Sequence, residues 1–358
     1  MINLKWLKAL ALCACLCVTL SCDKTPQNEK EGDKSVDLSL QGTANSYIVS
    51  EAGAYKFRAM QGNSSSSVGD VSSVEVLWES NGTATAPAVG SLVKNVSYKD
   101  SYIVFEASSA KGNALIAAKD GSGKVLWSWH IWMTDQPKDQ VYYNNVGIMM
   151  DRNLGATSAT PGDVKANGLL YQWGRKDPFM GAASIDSDIQ AVSTLSPWPA
   201  PVGSDATTGT VLYAQEHPTT FLSDDGKYPH DWMNKPYNSL WSTTKTKYDP
   251  CPPGYRVPII SGNGIWAAAV GGDYFLPDSA MDNSKKGANL GGMFGSDATI
   301  WYPMTGSLSY KGKLCNVGKQ AYYWATTSEI LQISVINDLV TFTVDWAICA
   351  NSVRCCKQ

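Results

Sequence analysis

The chain has 358 residues, with 29 Lys and Arg against 32 Asp and Glu and a formal net charge of −3. That length is a prior for two domains, and an apolar content of 44% is enough to build their cores. The balanced charge, with no long Lys/Arg run, excludes the basic field by which proteins attract nucleic acid.

The N-terminus reads as a targeting segment. Lys5 and Lys8 precede an apolar run from Ala9 to Leu20, too short to span a bilayer. The run ends at Ser21-Cys22, and a small residue followed directly by Cys predicts a lipoprotein signal over residues 1–21. Cys22 is then cleaved free and acylated, and membrane lipid becomes a partner through it; two or three acyl chains give stable anchoring where one does not. Thr19 stands where Leu is commoner, which leaves Cys15 and a plain secretory signal as alternatives. Residues 22–41 are charged and almost without apolar side chains, so they read as a flexible tether.

Residues 42–136 read as an antiparallel β-sandwich. Short apolar or alternating runs (AYKFRAM, VEVLW, YIVFEA, ALIAAKD, VLWSWHIWM) are separated by turn signals such as Asn81-Gly82 and Asp120-Gly121-Ser122-Gly123. The last of these predicts a hairpin between Ile116-Ala117-Ala118 and Val125-Leu126-Trp127. In the final strand Trp127, Trp129, Ile131 and Met133 share one face, and Ser128, His130 and Trp132 the other. Both faces carry aromatic rings, so the strand is expected to be buried on both sides, at the junction with a second domain.

Gln136-Pro137-Lys138-Asp139 reads as the linker, and residues 140–358 as the second domain. Val146 to Met150 predicts an entering strand, Asn167 to Gly174 a short element holding Trp173, and Ile330 to Trp346 one or two strands around Asn337-Asp338. The long irregular stretch from Pro178 to Pro250 holds Trp198, Trp232 and Trp241 as packing anchors. In Pro252-Pro253-Gly254-Tyr255, Pro253 supplies the fixed φ and Gly254 the positive φ of a type II turn. Five cysteines lie beyond the tether: Cys251, Cys315, Cys349, Cys355 and Cys356. An odd number in an exported chain leaves at least one unpaired within the monomer.

Five phrases stand in order, MMDRNLGATSATPGD from Met149, GLLYQWGRKDPF from Gly168, YDPCPPGYRVP from Tyr248, YYWATTSE from Tyr322 and NSVRCCKQ from Asn351, and of these DRNLGA, YQWGRKDPF and CPPGYRVP are specific as a set though not alone. From about Tyr142 to Gln358 the chain resembles the major paralogous domain described in Fibrobacter and abundant in surface lipoproteins of Bacteroidetes, which is related to the C-type-lectin-like and sulfatase-modifying-factor folds. The fold class expected overall is β-rich α+β, a sandwich followed by a loop-rich C-type-lectin-like domain. The resemblance implies a bond from Cys251 to Cys355 or Cys356, with Cys315–Cys349 as the natural second pair. It implies an outer-membrane, surface-exposed lipoprotein that recognises glycan or protein without catalysis. A minor or tip subunit of a fimbria, with fimbrial partners, and an enzyme related to sulfatase-modifying factors are the other implied roles.

Chemistry-bearing motifs are few. His130, His217 and His230 show no zinc spacing, no EF-hand spacing occurs, and the Glu-Pro-Asn, Gln-Pro-Asp and Trp-Asn-Asp signatures of calcium-dependent lectins are missing. No GxSxG or HExxH occurs, and adjacent Cys355-Cys356 has the wrong spacing for a catalytic pair. No metal and no cofactor is therefore expected. Sugar rings stack on exposed aromatics, so Trp198, Trp232, Trp241, Tyr274 and Trp301 are the candidate ligand-binding residues, on loops between the framework phrases. Trp173, Trp324 and Trp346, inside or beside those phrases, are assigned to the core. Arg152, Arg175 and Arg256 are expected to hold loops through Asp151, Asp177 or backbone carbonyls.

Overall fold

The computed structural model describes residues 34–224, 230–235, 239–259, 264–270, 280–334, 336 and 339–358. Cys22 and Tyr274 lie outside them.

Eight strands occupy the N-terminal part: β1 (Val36–Asp37), β2 (Ser46–Val49), β3 (Gly53–Arg58), β4 (Ser73–Ser80), β5 (Val93–Lys99), β6 (Tyr102–Ala107), β7 (Gly112–Lys119) and β8 (Val125–Met133). They form two four-stranded sheets, ordered β1-β3-β6-β5 and β2-β8-β7-β4. The alternation read from the sequence puts Phe57 and Phe105 of one sheet against Tyr47 and Trp129 of the other, in one shared core. Phe57 packs 4.8 Å from Tyr47 and 5.2 Å from Trp129, ring centre to ring centre. The sheets are mixed rather than purely antiparallel. β1 runs parallel to β3 and β2 parallel to β8, because each enters at a sheet edge beside a strand that is not its hairpin neighbour.

The hairpin at Asp120 forms as expected. Its carboxylate accepts the amides of Ser122 and Lys124, and the Asp120 amide donates to the Lys124 carbonyl. Glu79 is a buried carboxylate that closes the loop before β5. It accepts the amides of Gly90, Leu92 and Val93 at 2.5, 2.8 and 2.7 Å, so its charge is matched by three aligned dipoles.

β8 is buried on both faces. Trp127, Trp129 and Ile131 fill the sandwich, while Trp132 joins a second core that contains Trp173, Trp241 and Trp324. Polar side chains fix this junction. The Trp132 indole donates to the Ala156 carbonyl, Asn113 to that of Gly155, Gln215 to that of Leu126, and Asn45 to those of Lys247 and Asp249. Lys176 is buried with Asp177, 2.7 Å away, and both meet the Ser128 hydroxyl. Residues Ser35–Gln358 form a single compact unit.

The C-terminal part is built from short strands and loops. One sheet orders Tyr255–Arg256, Cys356–Lys357, Gly147–Met150 and Asp139–Tyr142. A second orders Leu314–Cys315, Ser307–Leu308, Ala350–Ser352, Gln320–Trp324, Glu329–Ser334 and Leu339–Val344, with Leu170–Gln172 pairing onto Ala350–Ser352. The expected element before Trp173 is thus a strand, and Ile330 to Trp346 contains two. Helices Val211–Glu216 and Ile265–Val270 are one to two turns long, the first capped by the Thr210 hydroxyl.

Tryptophan indoles hold the loops. Trp324 donates to the Tyr171 carbonyl at 2.7 Å, Trp232 to Trp173 at 2.8 Å, and Trp241 to Tyr248 at 2.9 Å. Each fills core volume with its ring and satisfies a backbone carbonyl, that of Tyr171 on a strand and those of Trp173 and Tyr248 in loops. The three arginines behave as expected. Arg152 pairs with Asp151 and Asp135, Arg175 donates to the Thr220, Ala214 and His217 carbonyls, and Arg256 to that of Val257.

Cys251 is bonded to Cys355, with Cα atoms 5.9 Å apart. The turn beside it has the expected form: Gly254 has φ +77° and the Tyr255 amide donates to the Pro252 carbonyl. The second pair, Cys315 with Cys349, is not formed; both are free thiols, as is Cys356. Ser307–Leu308 runs between Leu314–Cys315 and the strand that Cys349 leads into. Strands two apart in a sheet are about 10 Å apart, beyond the ~7 Å reach of a disulfide. Burial pushes the Cys356 thiol up to about 11, and it also raises Cys315 and Cys349, so all three stay protonated.

Candidate functional site

Stacking needs an open ring face, and most of the expected rings do not have one. Trp232, Trp241 and Trp301 are 1%, 0% and 3% exposed. The first two are committed to the loop-holding bonds above, so they are core and present no stacking surface. Trp301 lies flat on Gly287, where any Cβ would overlap its ring. Trp198 is half-buried against Trp78, 6.2 Å away.

The exposed tryptophan among the described residues is Trp346, at 47%. This corrects its expected place in the core, and alternation alone does not signal it, because it sets Trp346 on the same face as buried Val340. Val340, Phe342, Val344 and Trp346 share one face of an edge strand and its continuation. That face passes from buried at Val340 to 70% exposed at Val344, where the strand still pairs with Glu329 at the sheet edge.

Trp346 is held from below. The Asp345 carboxylate accepts the Trp346 amide at 2.8 Å and the Asn351 side chain at 2.7 Å, while the Asp345 amide donates to Ser328. Burial raises the Asp345 pKa above the usual carboxylate range. Cys349 closes the turn by donating its amide to the Trp346 carbonyl.

One indole face is covered by His230, stacked 3.9 Å away at 23°. His230 sits at φ +58°, a left-handed conformation that costs a non-glycine residue about 1 kcal/mol or more. Its carbonyl accepts the Ile348 amide, and its Nδ1 lies 3.0 Å from Asp224 Oδ2. Tyr310 meets the indole edge-on, 6.1 Å away at 68°, and the Lys311 ammonium lies 5.3 Å from the centre of the Tyr310 ring. The cluster therefore presents an indole face to solvent, with carboxylate, imidazole, phenol and ammonium groups around it. Nothing local in the sequence pairs His230 with Trp346.

The other histidines serve structure. His130 is buried between Ser46 and Asn113, and burial lowers its pKa from 6.5 to about 3. His217 stacks on Tyr213, 4.1 Å away. Among the described residues, no three His, Cys, Asp or Glu side chains gather where a metal ion would need them, and no helix is long and apolar enough to cross a membrane. No family model matches the chain, and neither does any curated protein or solved structure.

Proposed function

We propose that this chain is a lipid-anchored protein of the outer membrane that recognises glycans at the cell surface without catalysis. In this reading its C-terminal part is a C-type-lectin-like display module of the kind the framework phrases resemble. The observation that carries it is the Trp346 platform: one indole face backed by His230, the other open, and polar groups at its rim. The C–H face of a pyranose stacks on such a ring, and Lys311 at its rim is of the kind that hydrogen-bonds sugar hydroxyls. The left-handed backbone at His230 supports the reading, since strain of this kind concentrates where a side chain must be aimed.

The test is a glycan array probed with wild type and Trp346→Ala, with melting temperature measured beside it. Trp346 is half exposed, so the variant should keep its melting temperature and lose about tenfold or more in affinity, as removal of a stacked ring does. Binding that survives Trp346→Ala unchanged removes the platform from the reading.

A further inference from the structure

A strand at the edge of a sheet presents a row of unpaired amides and carbonyls, which folded proteins blunt with charge, proline, bulges or shortness. The two longest edge strands here are blunted in this way. β4 carries Glu75 and a bulge between Val76 and Trp78, and β5 carries Lys94 and Lys99 with a bulge between Lys94 and Ser97. The next longest, Leu339–Val344 in the C-terminal part, is not. It holds no charged residue and no proline, and it pairs with Glu329–Ser334 in unbroken register. Among the described residues no strand lies beyond it.

The register fixes which main-chain groups face outward. The Asp345 amide donates to the Ser328 carbonyl, one step past the pairing of Val344 with Glu329. Hydrogen-bonding direction alternates along an antiparallel ladder. Thr341 and Thr343 therefore turn their amides and carbonyls inward, to Gln332 and Ile330, while Val340, Phe342 and Val344 turn theirs to the open edge. Among the described residues, those outward groups meet only a long contact of 3.4 Å, from the Thr341 hydroxyl to the Phe342 carbonyl.

The sequence of the edge selects its partner. Val340-Thr341-Phe342-Thr343-Val344 reads the same in both directions. A second copy laid antiparallel, with a two-fold axis at Phe342, sets Val340 against Val344, Phe342 against Phe342 and Thr341 against Thr343. The parity also matches. The three outward residues of one copy face the three of the other, as hydrogen-bonded pairs that each exchange two bonds. An axis between two residues would oppose outward groups to inward ones and form no such pair. The centre of the palindrome thus coincides with an axis the backbone allows.

The side chains agree with the backbone. Val340 is buried and Phe342 half-buried against the core beneath, and Val344, 70% exposed, gains Val340 of the second copy as its cross-strand neighbour. On the opposite face the half-buried threonines meet across the axis, a favourable cross-strand pair. A patch that complements itself closes after two copies, so it yields a dimer and not a filament. We infer that this chain forms an antiparallel homodimer through the edge strand Leu339–Val344, two-fold about Phe342. One short strand pair is a small interface, so the expected Kd is about 10–100 µM.

Sedimentation velocity of the full chain over about 1–300 µM brackets that constant. Wild type should pass from monomer to dimer across the range. Thr341→Lys/Thr343→Lys sets lysine against lysine on both sides of the axis; it should stay monomeric throughout and keep the wild-type melting temperature. Thr341→Lys/Thr343→Glu sets lysine against glutamate at both places and should dimerise again. Register is read by mild oxidation of Thr341→Cys mixed with Thr343→Cys. Directly opposed positions outside the hydrogen-bonded pairs lie about 4.5 Å apart between Cα atoms, within disulfide reach, so the mixture should cross-link and neither variant alone should. This arm decides even if the double-lysine variant does not fold, because the cysteine variants add no charge. A wild type that stays monomeric overturns the inference. So does a folded double-lysine variant that dimerises like wild type, or a mixture that cross-links no better than its components.

Discussion

Replacing both Cys251 and Cys355 by alanine removes the one covalent clamp in the C-terminal part. The bond spans a sequence separation of 104 residues, and the chain-entropy relation gives about 4.7 kcal/mol for a loop of roughly that length. Most of that effect lies in the unfolded chain, because the native neighbourhood keeps its own ties. Cys356 pairs with both Arg256 and Met149 across the sheet, and Asp249 accepts the Cys251 and Val257 amides. The folded variant should therefore retain its structure and lose stability. Taking about 2.1 cal/mol/K per residue over Ser35–Gln358, the unfolding entropy is roughly 0.7 kcal/mol/K, so the melting temperature should fall by about 7 °C. Tryptophan fluorescence during thermal and urea unfolding reads this directly, and reductant added to wild type should reproduce it. Cys356→Ala should leave the bond intact on non-reducing peptide mapping. A loss under about 1 kcal/mol, or a map joining Cys251 to Cys356, would refute the reasoning.

Two further outcomes are expected. His130 has a folded pKa of about 3 against an ordinary 6.5, so the unfolded chain takes up a proton first and stability falls as pH drops through that window. Between pH 7 and pH 5 wild type should lose about 2 kcal/mol more than His130→Gln in urea unfolding, and parallel pH curves would contradict the assignment. Metabolic labelling with palmitate should mark wild type and fail to mark Cys22→Ala; equal labelling of both would remove Cys22 as the anchor.

Much of the scaffold was legible because it rests on local chemistry. The Asp120 hairpin, the Gly254 turn and the two-faced burial of β8 follow from turn residues and period-2 patterning. The Cys251 bond to the C-terminal pair is an implication of the resemblance, and spacing alone leaves its partner open. The Cys315–Cys349 pairing failed because two cysteines left over once the others are assigned can still lie across a strand from each other. Parallel edge pairing of β1 and β2 was invisible for a similar reason: a strand of two to four residues carries too little pattern to name a distant neighbour.

Tryptophan was the hardest residue to read, and the hydrogen bonds explain why. A chain with long irregular stretches needs both large rings for its core and donors for loop carbonyls, and an indole supplies the two together. Trp132, Trp232, Trp241 and Trp324 each pair their N–H with a backbone carbonyl, so abundance of the residue reports architecture. Composition cannot separate such a ring from a recognition ring, because the two differ only in what their faces and N–H groups meet. Trp346 departs by its open face. Trp78 and Trp301 depart by a buried N–H without a partner. Trp78 is enclosed in the core with Trp198 beside it, and the Trp301 ring is pressed on Gly287, so in both the unmatched N–H belongs to packing and neither ring offers the open face that Trp346 has.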